Sequence, residues 1–471
     1  MTTSAFSLSQ INAKPAKIGV IDRTQKTYFA FFILAILVSW SPNKIAPYLM
    51  PLVFIPLSIL LIRSKTVIRN TIILGLAWIA WIGVSAVLNP DFIFQNALLS
   101  IVTYCAFYPI LVIPTRYLAS DQLYVKIAKI LLIVVAFQSV IGAFQVAYGF
   151  SVRGSFDVNT GDHIEGTIDL PLQQKTGFET PMFAINIALA LIVLIPYVLA
   201  QRRLWSIIIF LFGTFIFVLS SVVHVLIMFL IALGVSFILY RPVQISSKKL
   251  ALAAFFILCL IPLILFMMYR LLPTNLSRLP VQFERVVRQE NPKVVLLYRL
   301  FEEVPDEYPY LPLVGIGPGQ FASRASLIAS GYYLGGLNNP TPLPLLEATV
   351  SHALDRYVMD LWYQLRNWPG SAGSTLRPFS SWLSIYSEFG FLGGFLVVMI
   401  VLGLLYKSLT HTKSKNQKIF GFAFGSGVIL IFLLGLQENY WETPQAILIG
   451  CMALKVLYSL ILYSNTGFQP N

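Results

Sequence analysis

Long apolar stretches recur along the whole chain and are separated by short polar hinges. A helix needs about 20 apolar residues to cross a bilayer, where it satisfies its own backbone hydrogen bonds. The pattern therefore predicts an all-α polytopic membrane protein with about twelve transmembrane helices. The run 205–240 is too long for one crossing, so we divide it at Ser220-Ser221 into spans 7 and 8. The predicted spans are 28–41, 45–62, 71–88, 97–113, 128–150, 182–200, 205–240 (two spans), 250–271, 382–406, 419–436 and 446–463.

The composition agrees with a membrane protein. The 471 residues are 57% hydrophobic and 11% charged, whereas a soluble domain carries roughly 25% charged residues. The net charge of +13 indicates cytoplasmic loops and lipid headgroup contact rather than nucleic acid. Cys105, Cys259 and Cys451 lie inside apolar spans, and no metal-ligand spacing is present. We therefore expect no disulfide, no metal and no cofactor.

The hinges alternate in charge along the chain. Those after spans 2, 4, 6, 8 and 10 are basic, whereas those after spans 3 and 11 lack Lys and Arg. The positive-inside rule then places both termini in the cytoplasm and the two long polar loops together on the outer side of the inner (cytoplasmic) membrane. The predicted organisation is an N-terminal tail (1–27), spans 1 to 9 (28–271) with an outer loop (151–181), a large periplasmic loop with helical segments (272–381), spans 10 to 12 (382–463) and a C-terminal tail (464–471).

The large loop concentrates arginine and contains a glycine-rich turn. Asn291-Pro292 predicts the start of a helix that carries Arg299 and ends near Glu302-Glu303. The turn Gly315-Ile316-Gly317-Pro318-Gly319 can aim backbone N–H groups at an anion or a hydroxyl-rich ligand, or it can be a simple tight turn. Both interpretations remain open. The loop arginines are Arg278, Arg285, Arg288, Arg299, Arg324, Arg356, Arg366 and Arg377.

The segment 345–368 is predicted to be an amphipathic helix, because its apolar residues recur every three or four positions. His352, Arg356 and Asp360 form a polar stripe on it. The stripe is either an anion clamp beside a titratable base or the solvated face of a surface helix. His224 lies in the apolar run of spans 7 and 8, so it is either near a site or bonded at the membrane interface.

Two blocks carry a resemblance to a known family. They are Arg299 followed by the Pro-Leu-x-Gly-x-Gly-Pro-Gly-x-Phe block ending at Phe321, and Glu388-x-Gly390-x-x-Gly393. Together with the span layout, they make the chain resemble the O-antigen ligase and Wzy-type O-antigen polymerase superfamily, of GT-C-like architecture. The resemblance implies inverting transfer of a glycan from a polyprenyl-diphosphate carrier to an acceptor glycan, without a nucleotide sugar or metal.

The resemblance and the loop chemistry together suggest substrate-binding residues. A diphosphate leaving group needs cationic stabilisation, and the acceptor hydroxyl needs a base. The candidate substrate-binding residues are Arg299, Arg324, Arg356, Arg377, Gly315, Gly317, Gly319 and Glu388.

The chain departs from the family at two positions. Phe379 stands where the family has its re-entry histidine, and Val222 lies near the position of a family arginine, with His224 close by. If the chain is a transferase, we expect His352 to act as the substitute base, with Glu347 and Asp355 in reserve. It is then a divergent enzyme with relocated residues; otherwise it has lost its activity.

Two further functions remain open besides a polymerase or ligase. One is a transporter or flippase for lipid-linked glycan, and the other is a catalytically silent scaffold that binds other polysaccharide export proteins. The spans carry almost no charge, Lys455 being an exception, which favours a surface enzyme over a transport path. The expected partners are the carrier-linked glycan, the acceptor glycan and membrane lipid, and no nucleic acid.

Overall fold

The computed structural model describes residues 15–153, 164–168, 179–242, 284, 287–288, 290–336, 339–344, 346–364 and 377–463. Within these ranges the chain is helical and contains no strand, which confirms the predicted class. In the described part of the chain, seven helices are long and apolar enough to cross a membrane, so the chain is a polytopic membrane protein. These are Lys65–Leu88, Asp121–Ser151, Pro181–Gln201, Val223–Tyr240, Ser381–His411, Lys415–Leu434 and Pro444–Tyr463.

Other predicted spans lie in helices that are partly polar, shorter or broken. The first forms part of Pro15–Ser39, and the second is Ala46–Leu57 followed by a π-helical turn, Ser58–Ile62. The fourth divides into Phe94–Cys105 and Tyr108–Val112, where Pro109 cannot donate a helical hydrogen bond. The ninth, 250–271, lies outside the described residues, so the total of twelve stays a prediction.

The division of the run 205–240 is confirmed. One helix ends at Leu219 and the next begins at Val223. Ser221 between them has a left-handed φ of 55°, which reverses the chain over very few residues. The helices Pro181–Gln201 and Pro444–Tyr463 are the most enclosed of the candidate spans, and they pack against each other at the centre of the bundle.

The large loop folds into short helices around its own hydrophobic cluster, which includes Leu300, Phe321, Leu354 and Phe379. The predicted helix after Asn291 is confirmed: it spans Pro292–Glu302, and the Asn291 side chain accepts the Lys293 N–H. The remaining short helices are Val304–Glu307, Leu311–Val314, Arg324–Ala329, Tyr332–Gly335, His352–Leu354 and Asp360–Gln364.

The predicted helix 345–368 needs a correction. Helical structure starts only at His352, where the Ser351 side chain accepts the Leu354 N–H, and it continues through a π-helical turn, Asp355–Met359. The preceding residues bond elsewhere in the loop: Ser351 Oγ donates to the Gln320 carbonyl over 2.6 Å, and the Thr349 N–H donates to the Ala329 carbonyl. These tertiary bonds override the helical periodicity. Residues 365–368 lie outside the described ranges.

Candidate functional site

The glycine turn wraps around a carboxylate of the chain itself. Gly319 N–H donates to Glu388 Oε2 over 2.7 Å, and Phe321 N–H donates to Glu388 Oε1 over 3.2 Å. Ile316 N–H donates to the Ser387 carbonyl, and Gly317 N–H donates to that of Glu388. The turn therefore does present N–H groups to an anion, as its glycines suggest, and that anion is Glu388.

The same contact explains why glycine is required at two positions. Gly390 interrupts the helix Ser381–His411 with φ 62° and ψ −162°. A Cβ on Gly315 would lie 2.3 Å from the Glu388 carbonyl carbon, and a Cβ on Gly390 would lie 2.4 Å from Leu313. The two sequence blocks that carry the family resemblance are thus packed directly against each other.

Arg324 is the most deeply enclosed of the candidate arginines. It is 2% exposed, at the start of a short helix capped by Ser323. Its guanidinium lies over the Tyr333 ring at 4.8 Å, and its Nε has no hydrogen-bond partner in the described part of the chain. A buried guanidinium with an unused donor is suited to binding an anion.

The polar hinge 438–443 closes over Arg324. Asn439 Nδ2 donates to the Ala322 carbonyl over 2.8 Å, and the Arg324 N–H donates to Glu442 Oε2 over 2.5 Å. Glu438 and Glu442 are both buried. From its lack of Lys and Arg, this hinge is predicted only to lie outside the cytoplasm. Its two acidic residues so close to apolar spans are a further sequence signal of a functional site.

Further buried polar atoms without a hydrogen-bond partner in the described residues lie on the elements around Arg324. Asn96, Ser100 and Tyr104 recur every four residues on the helix Phe94–Cys105, which packs against the Arg324 helix. Buried polar atoms are normally paired, so such a concentration indicates groups arranged for a polar ligand. The atoms are Tyr48 OH, Asn96 Nδ2, Ser100 Oγ, Tyr104 OH, Arg324 Nε, Tyr333 OH, both Glu438 carboxylate oxygens and Glu442 Oε1. We call this group the Arg324 cluster.

Burial shifts the titration of charged groups here. Burial and the neighbouring Glu388 carboxylate raise the pKa of Glu442 to about 8, against the opposing effect of Arg324. Burial lowers the pKa of Lys293 to about 8, although Glu438 acts in the opposite direction. Lys293 Nζ donates to the Gln437 carbonyl. The pKa values of one acidic and one basic group are thus both shifted to about 8. Such shifts toward neutral pH are common at functional sites.

His224 contacts the same hinge. Its Nε2 lies 3.3 Å from Tyr440 OH, and the two rings are nearly parallel, with an interplanar angle of 12°. His224 is therefore bonded to a residue that lies between Glu438 and Glu442 in the chain, and its nearness to a functional site stays a prediction. Val222, near the position of the family arginine, is buried directly before the His224 helix.

An apolar cavity of about 540 Å³ adjoins the Arg324 cluster. Tyr48 and Tyr333 line it, and their rings meet edge to face at 5.9 Å. Because the Tyr333 ring also covers the Arg324 guanidinium, these tyrosines separate the cavity from the buried arginine. Its apolar wall includes Leu49, Leu99, Val102, Ile328, Leu343 and Leu346.

His352 and Arg356 meet on one partner at the surface of the loop. His352 Nε2 lies 3.0 Å from Glu307 Oε1, and Arg356 lies 3.2 Å from Oε2. Tyr357 OH donates to the same carboxylate over 2.6 Å. This hydrogen bond, followed by the charges of Arg356 and His352, lowers the pKa of Glu307. His352 is 46% exposed in its side chain.

The other sequence candidates occupy different surroundings. Arg299 makes two bonds of 2.7 Å to the Asp360 carboxylate and one to the Tyr357 carbonyl. Arg377 is buried. Glu347 and Asp355 are exposed. None of the predicted catalytic residues is therefore buried, whereas Glu442 is.

Phe379, at the position of the family histidine, is buried and packs edge-on against Trp362 at 4.8 Å. It therefore serves the hydrophobic cluster of the loop. Within the described ranges, no group of three or more His, Cys, Asp or Glu side chains is arranged to hold a metal ion.

No family model, curated protein or solved structure matches the chain. The resemblance to the ligase and polymerase superfamily therefore rests on the sequence blocks and the span layout alone.

Proposed function

We propose that this chain transfers a glycan from a polyprenyl-diphosphate carrier to an acceptor glycan at the outer face of the cytoplasmic membrane, as a polymerase or a ligase. The observation that carries the proposal is Arg324, which is buried, has an unused Nε and lies behind the wall of an apolar cavity. A carrier of this class joins a doubly charged head to a long apolar chain. The guanidinium of Arg324 is suited to the head, and the apolar cavity is suited to the chain.

The leaving group explains the need for a buried cation. When the bond from the sugar to the diphosphate breaks, negative charge grows on the diphosphate oxygen. A guanidinium held out of water stabilises that charge far more strongly than one in solvent. Arg324 meets this requirement, with Lys293 and Arg377 as further cations in the same part of the protein.

The apolar cavity supports a lipid-linked substrate. Its walls are largely Leu, Val and Ile side chains, and Tyr48 and Tyr333 lie where it approaches Arg324. A prenyl chain in the cavity would gain the hydrophobic free energy of burial. Its head would lie beside the buried hydroxyls of these tyrosines.

The charge within the spans supports transfer rather than transport. Lys455 donates to the carbonyls of Pro109, Ile110 and Ile113. Its ammonium therefore binds the carbonyl-rich end of the short helix Tyr108–Val112 rather than a substrate path. Transport of a diphosphate through the bundle would require charged groups along a path between the spans.

Glycan analysis of a strain lacking the chain tests the proposal. Loss of a polymerase leaves single repeat units, whereas loss of a ligase leaves long chains on the carrier lipid. A flippase deletion would instead confine carrier-linked glycan to the cytoplasmic leaflet and would contradict the proposal.

Complementation ties the result to Arg324. Arg324→Ala should fail to restore product at normal protein levels. Arg288→Ala is the matched control, because Arg288 is exposed and pairs only with its helical neighbour Glu284 among the described residues. If Arg324→Ala fully restored the glycan product, Arg324 would have no role in transfer and the proposal would lose its main support. If a variant that has lost transfer activity in vitro still restored the glycan product in the strain, the scaffold function would be favoured.

A further inference from the structure

We infer that Glu442 is the general base that takes the proton of the acceptor hydroxyl, in the role that the family gives to the histidine replaced here by Phe379. The inference rests on the proposed transfer function. It identifies a catalytic residue that the sequence blocks do not contain.

The two carboxylate oxygens of Glu442 have different surroundings. Oε2 accepts the Arg324 N–H over 2.5 Å, which fixes the carboxylate beside the proposed diphosphate site. Oε1 is buried and has no partner at hydrogen-bond geometry within the described residues, although the Ser384 hydroxyl lies near the carboxylate and acts to lower its pKa. One oxygen thus anchors the group while the other remains available to accept a proton, and the residue is only 1% exposed.

The other acidic groups nearby are less suitable. Both oxygens of Glu388 accept backbone N–H groups of the glycine turn, so its carboxylate is fully used in holding that turn. Glu438 is buried with both oxygens unpartnered in the described chain, but no hydrogen bond of its carboxylate fixes it beside Arg324. A substitution at Glu438 is therefore the control for the same substitution at Glu442.

The position of the family histidine and the predicted substitute base are both poorly placed. Phe379, at the family position, is enclosed by the loop cluster and contacts Trp362. His352 is half-exposed and pairs with Glu307. The base must be within hydrogen-bond reach of a hydroxyl that attacks beside the diphosphate, and Glu442 is the acid that accepts the main-chain N–H of Arg324.

The proposed step balances in atoms and charge. The acceptor oxygen attacks the anomeric carbon and forms a new glycosidic bond while its proton passes to Glu442 Oε1. The bond between that carbon and the diphosphate oxygen breaks, and the polyprenyl diphosphate leaves with the electron pair. Arg324 stabilises the departing charge, and Glu442 later returns the proton to solvent.

The ionisation of Glu442 predicts how this step depends on pH. The charged and titratable groups that face it are Glu388, Arg324, Tyr48 and Tyr104. With a pKa of about 8, the base form is a minor species at neutral pH. Transfer should therefore rise about tenfold per pH unit below that pKa and level off above it.

The test uses the full-length protein in lipid nanodiscs, carrier-linked glycan extracted from the deletion strain, and acceptor glycan. Glu442→Gln should lower kcat about 10²- to 10⁴-fold and abolish the acidic limb of the pH profile. It should leave binding of the carrier-linked glycan intact. Glu442→Asp should recover part of the rate. Glu302→Gln, the same change at an exposed position on the large loop, should keep the wild-type rate and profile.

The outcomes distinguish the two proposals. If the wild type transfers glycan and Glu442→Gln keeps its rate and pH limb, Glu442 is not the base, while the transfer function stands. Loss of the limb in Glu438→Gln instead would assign the role to Glu438 and overturn the inference. If the wild type makes no product under these conditions, the transfer function fails and the role of Glu442 fails with it.

Discussion

The main-chain N–H of Arg324 donates to the Glu442 carboxylate over 2.5 Å, although the residues are 118 positions apart. This bond joins the large loop to the hinge between the last two described spans. It places a buried cation next to a buried acid, and both have atoms that no other described group satisfies. The loop is therefore held against the bundle at the position where we propose that chemistry occurs.

Arg299 should contribute to loop stability rather than to catalysis. Its guanidinium already makes two bonds to Asp360 and one to the Tyr357 carbonyl. Because the pair is partly solvated, we expect Arg299→Ala to cost about 0–1 kcal/mol of stability. Thermal unfolding in detergent should show similar losses for Arg299→Ala and Asp360→Ala. A large loss of transfer for Arg299→Ala alone, at unchanged stability, would restore Arg299 as a substrate contact.

Two glycines should tolerate no side chain, whereas a third with similar dihedral angles should tolerate one better. Gly315 and Gly336 share φ near 74° and extended ψ, yet a Cβ would strike the Glu388 backbone only at Gly315. Gly336→Ala should cost about 1–3 kcal/mol for its backbone alone. Gly315→Ala and Gly390→Ala should cost more and lower the yield of folded protein in size-exclusion chromatography. Equal losses at all three positions would mean that close packing against Glu388 is unimportant.

Glu442 should make the protein less stable as the pH rises. Its folded-state pKa of about 8 exceeds the unfolded value of about 4.3, so the folded state retains a proton that the unfolded state releases. Its stabilising contribution is complete below about pH 4.3 and is lost progressively up to about pH 8. Between these limits, the melting temperature of Glu442→Gln should therefore rise relative to that of the wild type as the pH increases. A difference from wild type that does not vary with pH would contradict the shifted pKa.

The topology should follow the charge of the hinges. Single cysteines at Asp306, on the large loop, and at Ser414, in the basic hinge, are both exposed. In intact spheroplasts an impermeant reagent should label Asp306→Cys and not Ser414→Cys. The reverse pattern would place the Arg324 cluster on the cytoplasmic side and exclude transfer at the outer face.

Local patterns predicted local structure well. The apolar runs located the long helices, Asn291-Pro292 located a helix start, and Ser220-Ser221 located a turn. Each depends on neighbouring residues, whose propensities and capping bonds are visible in the sequence. The helix expected over 345–351 did not form, because Ser351 and Thr349 bond to distant parts of the loop.

The candidate site was only partly predictable. Arg324, Glu388 and the glycine turn were named from the sequence, and they lie in one part of the structure. The contributions of Glu442, Tyr48 and Tyr104 depend on contacts between residues far apart in the chain. No periodicity or spacing reports such contacts. The titratable side chain of His352 made it a candidate base, but its exposure and its pairing with Glu307 depend on the fold.

The most direct test of the account is release of polyprenyl diphosphate by the purified protein from extracted carrier-linked glycan, measured together with glycan appearing on the acceptor. The wild type should form both products in equal amounts. Arg324→Ala should lower turnover about tenfold to a hundredfold or more, as expected for a lost charge-assisted bond, and Arg324→Lys should restore only part of the rate. Equal turnover by wild type and Arg324→Ala, or no polyprenyl diphosphate released by the wild type, would contradict the account.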